Sequence, residues 1–144
     1  MQTSKTWVLG AALSLLAVAA AAPSPARAGD VSNAAVTCFV DTYAFDVPEV
    51  GSCSSIWRPG SANNPSTALF QVTGVGAGNY AYAWRDLENN TVPAGCGNAP
   101  YCEKTIYTDV YGDGQATLQV TITDLDTGAV RQVQATAFYY DGFT

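Results

Sequence analysis

Between positions 114 and 140 apolar and polar residues alternate so regularly that a two-stranded β-hairpin is the local structure they suit best. Ala116, Leu118, Val120 and Ile122 fall at every second place, with Thr117, Gln119, Thr121 and Thr123 between them. That is the period of a strand with one buried and one wetted face. Val133, Ala135 and Ala137 then alternate with Gln132, Gln134 and Thr136. A helix would need apolar residues at spacings of three and four, and they do not recur that way here. Asp124-Leu125-Asp126-Thr127-Gly128 separates the two arms. Aspartate bonds to nearby backbone and glycine takes positive φ without a Cβ clash, so this stretch predicts the turn. Burying Leu118, Val120 and Ile122 contributes roughly 1.5–3 kcal/mol each before entropy is counted. A lone hairpin is marginal in water, so a second layer must pack on it.

The first 28 residues have a different character. Lys5 gives a positive start, residues 8–22 form an apolar run of mainly Leu and Ala, and Ala26-Arg27-Ala28 follows Pro23 and Pro25. This is the layout of a secretory signal peptide with its cleavage site, bacterial in style. The run is short for a membrane span. Residues 1–28 are therefore expected to be removed, leaving 29–144 as one domain with a single modest core, secreted or periplasmic and with no membrane association after cleavage. Four cations, Arg58, Arg85, Lys104 and Arg131, then face twelve carboxylates, a net charge of −8. Such a surface argues against nucleic acid and anionic membranes as partners.

Cys38, Cys53, Cys96 and Cys102 are the cysteines, an even number in an exported chain, which favours two disulfides. Three connectivities are open. Cys38–Cys53 and Cys96–Cys102 are favoured because each pair brackets a loop-like stretch, and together they would contribute roughly 3 and 2 kcal/mol. Zinc is disfavoured by the spacing and by the absence of histidine.

Along the rest of the chain, residues 33–43 read as a first strand and 44–50, which contains Pro48, as an edge segment. Residues 51–65 are dense in Gly, Ser, Asn and Pro and read as a loop that carries Trp57 and Arg58. Further strands are expected at 67–73, 79–86 and 103–111, with a glycine-rich turn at 74–78 and a second loop at 87–101. About seven short strands with turn signals between them predict an all-β sandwich.

STALFQVTGVGAGNYAYAWRD, residues 66–86, resembles the apolar strand, glycine-rich turn and Tyr-x-Tyr-x-Trp strand of bacterial immunoglobulin-like modules of the PKD type. DGQATLQVTITD, residues 113–124, is similar to the strand of those modules that opens Asp-Gly. The likeness covers about two-thirds of residues 29–144. Two departures stand out: Ala116 occupies the place of a common corner Tyr, and Arg85-Asp86-Leu87-Glu88 replaces the usual Asp-Phe-Gly-Asp-Gly. The resemblance implies an immunoglobulin-like antiparallel β-sandwich with a binding or spacer role, not catalysis.

Catalysis needs a nucleophile with its base, a metal, or paired carboxylates in a cleft. The chain has no histidine. The carboxylate pairs Asp86/Glu88 and Asp124/Asp126 fall at expected turns, where aspartate serves the backbone. Asp109, Asp113, Asp124 and Asp126 have the chemistry for calcium, but Asp113 and Asp124 flank one strand and lie about 30 Å apart. No catalytic residue, metal or cofactor is therefore expected. Asn89-Asn90-Thr91 fits a glycosylation acceptor and is discounted in a chain with a bacterial-style leader. Trp84 is expected in the core, drawing Tyr80 and Tyr82 inward with it. Trp57 and Arg58, beside Cys53, are the candidate ligand-binding residues, set against a Trp that folds back to cap the core. The expected function is a non-enzymatic module, monomeric or weakly self-associating. It would bind a protein or carbohydrate at the cell envelope or outside the cell, with loops near Trp57 and Cys96–Cys102 as its contact end. The alternative is a subunit of a surface assembly, joined by strand pairing through the C-terminal segment with Phe138, Tyr139, Tyr140 and Phe143. A small exported enzyme or protease inhibitor has no residue pattern in its favour.

Overall fold

A computed structural model describes residues 29–42, 46–60 and 62–142. The expected leader, Tyr43, the first residues of the expected edge segment, and Phe143 lie outside the described residues. The strands are β1 (Ala35–Val40), β2 (Glu49–Val50), β3 (Ser52–Trp57), β4 (Ser66–Thr73), β5 (Tyr80–Asp86), β6 (Tyr101–Ile106), β7 (Gln115–Asp124) and β8 (Val130–Asp141). They form two four-stranded sheets, ordered β2-β1-β4-β6 and β3-β8-β7-β5, so the chain is an all-β sandwich.

The hairpin forms in the register its alternation predicts, with Leu118 opposite Ala135 and Val120 opposite Val133. Ala116, Leu118, Val120 and Ile122 are fully buried, as are Ala135 and Ala137 on the facing arm. Across the core lie Val36, Cys38, Val40, Ala68, Phe70 and Val72 of β1 and β4. Trp84 is 3 % exposed, and its Nε1 donates to the Ala99 carbonyl at 2.9 Å, which satisfies the one polar atom its burial brings inside. Tyr80 and Tyr82 are half-buried against this core.

Three expectations change. Residues 52–57 are not loop but strand β3, which runs parallel to β8 with Cys53 opposite Ala137 and Trp57 opposite Asp141. The sandwich is therefore not wholly antiparallel and has eight strands among the described residues. Gly51 makes this possible. Its N–H donates to the Val36 carbonyl in one sheet, while its carbonyl accepts from Thr136 in the other. The chain crosses between sheets at this residue with φ 78°, a conformation that favours glycine. Finally, β6 spans Tyr101–Ile106 rather than 103–111, and the chain turns away at Thr108, whose carbonyl accepts from Tyr111 and Gly112.

Two lateral ties close the sandwich. Cys38 of β1 bonds Cys53 of β3 across the sheets on one side, with Cα atoms 5.7 Å apart. On the other side Lys104 of β6 reaches Asp86, which ends β5, and Glu88 just beyond it, at 2.9 and 2.8 Å. The second disulfide, Cys96–Cys102, pins the loop before β6 to that strand. Two disulfides indicate a non-reducing environment. Among the described residues no helix is long and apolar enough to cross a membrane.

Candidate binding cleft

Trp57 ends β3 with its side chain on the inner face of the sheet, at the end of the sandwich where β8 finishes and β7 begins. Its ring is half-buried and packs against the core, so it does partly cap it. The indole Nε1 donates to the Ala62 carbonyl at 3.1 Å. Arg58 follows it, exposed, at the start of the turn. Beside Trp57 lies a cleft of about 310 Å³ lined by Trp57, Asn64, Tyr107 and Tyr111. The Trp57 and Tyr111 rings have centroids 6.4 Å apart and planes at 83°, so they make two walls of a corner.

The walls rest on a small polar framework. Thr108 is fully buried; its hydroxyl accepts from Asn64 Nδ2 at 2.9 Å and its N–H donates to Asn64 Oδ1 at 3.3 Å. Tyr139, also fully buried, donates its hydroxyl to the Asn63 carbonyl, while its own carbonyl accepts from the Asp109 N–H at 3.2 Å. One β8 residue thus fixes both segments that carry the cleft. Asp109 Oδ1 accepts from the Asp141 N–H at 2.7 Å, tying the Tyr107–Tyr111 segment to the end of β8. A Cβ at Gly112 would lie 2.8 Å from the Tyr107 Cβ, so the chain needs glycine to fold back under that ring.

Tyr107 and Tyr111 do not stand out in the sequence, because its alternation puts both on the strand expected at 103–111; Asp109 and Gly112-Asp113-Gly114 are the sign that the strand ends earlier. The expected contact end is also divided. Cys102 is the second residue of β6 while Tyr107 follows its end, about 16 Å along the strand, so the Cys96–Cys102 loop does not join Trp57 in one surface. Phe138 and Tyr140 point outward from β8 and stack, with centroids 6.0 Å apart, while Tyr139 points inward.

The acidic groups singled out in the sequence have structural work. Burial alone would raise the Asp86 carboxyl, but hydrogen bonds from Lys104 and Asn89, and the lysine charge, hold it below its usual range. Burial likewise favours neutral Lys104, and Glu88 and Asp86 overcome it to push the amine above its ordinary value. Asn89 Nδ2, in the glycosylation-like tripeptide, donates to Asp86 at 3.0 Å. Asp124 accepts from the Thr127 hydroxyl at 2.7 Å and the Asp126 N–H at 2.9 Å, organising the hairpin turn. The Thr127 bond leads in holding its carboxyl low, against burial. Asp113 and Asp124 lie at opposite ends of β7, and among the described residues no group of three or more His, Cys, Asp or Glu is placed to hold a metal.

No known protein family, curated protein or solved structure matches this chain.

Proposed function

We propose that the protein is an exported, non-enzymatic, immunoglobulin-like binding module, and that the Trp57 cleft is where it holds a protein or carbohydrate partner at the cell envelope or outside the cell. The observation that carries this reading is the corner of Trp57 and Tyr111, open to solvent and built on buried Thr108 and Tyr139. Exposed aromatic faces held rigid lose little entropy on binding, which is why Trp and Tyr dominate recognition hot spots. A volume of about 310 Å³ suits one ring or side chain of a partner. The chain has no histidine and its cysteines are paired, which supports a role without chemistry. The likeness to PKD-type modules and the signal-like leader support export and binding. The alternative, an assembly subunit joined through the C-terminal strand, would first require β3 to leave residues 136–141, where it occupies one edge of β8.

The oxidised protein, immobilised and exposed to envelope extracts of its source cell, should retain a partner that Trp57→Ala releases, with affinity falling by at least about tenfold. Equal retention by both proteins would remove the cleft as the site.

A further inference from the structure

We infer that the amine released at Gly29, when the leader is cut off after Ala28, docks as an ammonium on the buried Asp124 carboxylate and completes the fold, an inference that rests on the proposed export. The described residues include two buried aspartates, Asp86 and Asp124. Asp86 has Lys104 as its counter-charge. Asp124 accepts from the Thr127 hydroxyl at 2.7 Å, from the N–H groups of Asp126 at 2.9 Å and Thr127 at 3.4 Å, and from the Gly29 N–H. All these donors are neutral, whereas a buried carboxylate is ordinarily matched by a cation. The surrounding chain holds Gly29 in place. Tyr80 lies opposite Asp124 across β5 and β7, so the two side chains share the inner face of the sheet. Gly29 packs against that Tyr80 ring. A Cβ on Gly29 would fall 2.3 Å from the Tyr80 hydroxyl oxygen, which itself donates to the Gly76 carbonyl at 3.0 Å. A Cβ on Gly78 would fall 2.8 Å from the Gly29 Cα. Next along the chain, the Asp30 carbonyl accepts from the Gly76 N–H at 3.0 Å and Val31 is buried in the core. The nitrogen that meets Asp124 thus belongs to the peptide bond that the expected cleavage breaks. Hydrolysis takes up one water and leaves a carboxylate on Ala28 and an amine on Gly29, which is protonated near neutral pH. A neutral donor becomes a cation beside the carboxylate, and a charge-assisted hydrogen bond is about twice as strong as a neutral one. The domain therefore reaches its full stability only after trimming, and an amine one residue earlier or later would not lie against Asp124.

In the test, the full 144-residue chain is exported by a bacterial host and the disulfide-bonded product is weighed by mass spectrometry. It should begin at Gly29. Its α-amine is then either acetylated or dimethylated, at a pH where Lys104, the one lysine in residues 29–144, stays protonated. Acetylation removes the charge; dimethylation keeps it and adds comparable bulk. The folding equilibrium constant, read from urea unfolding, should fall about fivefold on acetylation and stay near its starting value on dimethylation. In Asp124→Asn, acetylation should make no difference, because the amide offers the ammonium no charge. Equal losses from the two modifications, or no loss from acetylation, would overturn the inference, and neither result needs a substituted protein. The same loss on acetylating Asp124→Asn as on acetylating the natural chain would overturn it too. A product that begins at another residue would overturn the inference together with the expected cleavage after Ala28. A product that begins at Gly29 but is indifferent to acetylation would overturn the inference alone and leave export standing.

Discussion

Lys104 shows what one side chain does when it is placed between two carboxylates at a sheet edge. It is mostly buried, 2.9 Å from Asp86 and 2.8 Å from Glu88, and these contacts join β6 to the far end of β5. Removing the amine would leave Asp86 buried opposite Glu88 with no counter-charge, a situation that costs more than the pair contributed. Lys104→Ala should destabilise the protein by about 2–4 kcal/mol near neutral pH, read from urea midpoints. The pH dependence has a definite sign at each end. Asp86 has a folded pKa below its ordinary 3.8, so its contribution is complete above that value and is lost as pH falls through the lower folded one. Lys104 has a folded pKa above its ordinary 10.5, so its contribution is complete below that value and fades only as pH rises through the higher folded one. The penalty of Lys104→Ala should therefore be flat around neutral pH and shrink in acid, where the stranded Asp86 carboxyl protonates.

At the scale of elements, Gly51 decides whether β3 can exist where it does. Its φ is 78°, yet a Cβ there would meet nothing within 4 Å, so the cost of a side chain is one of backbone alone. Gly51→Ala should cost about 1–2 kcal/mol, and hydrogen exchange should accelerate in β3 before it does in β7. Nothing in the local sequence announces this strand. Ser52-Cys53-Ser54-Ser55-Ile56-Trp57 is short and serine-rich, next to Gly and Pro, and local propensity reads it as loop. It is extended because β8 offers a hydrogen-bonding edge and Cys53 is tied to Cys38, both contacts with residues distant in sequence. The hairpin was legible for the opposite reason: Ala116, Leu118, Val120 and Ile122 face one core at every second residue, a pattern that needs no partner to be recognised. The cleft was half legible. Trp57 could be singled out by its polar neighbours, but Tyr107 and Tyr111 become its companions only once Asn64 and Tyr139 bend the chain after β6.

Over the whole molecule the disulfides carry a large share of a small margin. Cys38–Cys53 closes a loop with sequence separation 15 and Cys96–Cys102 one with separation 6. On the chain-entropy account these contribute about 3 and 2 kcal/mol, against a total of about 5–15 kcal/mol for a domain of this kind. Replacing all four cysteines by serine should lower the urea midpoint sharply, with most of the loss following the Cys38/Cys53 pair. Equal losses from the two pairs would show that strain or residual unfolded-state structure, rather than loop length, sets their value. The parallel pairing of β3 and β8 has a mechanical consequence. Tension applied between the start of β3 and the end of β8 loads their six paired positions in shear, all together, whereas an antiparallel pair pulled from one end would unzip bond by bond. The Cys53 sulfur hands part of that load to β1 before the seam can slip. A protein tethered by its two ends would thus resist stretching most strongly along the axis that runs past Trp57.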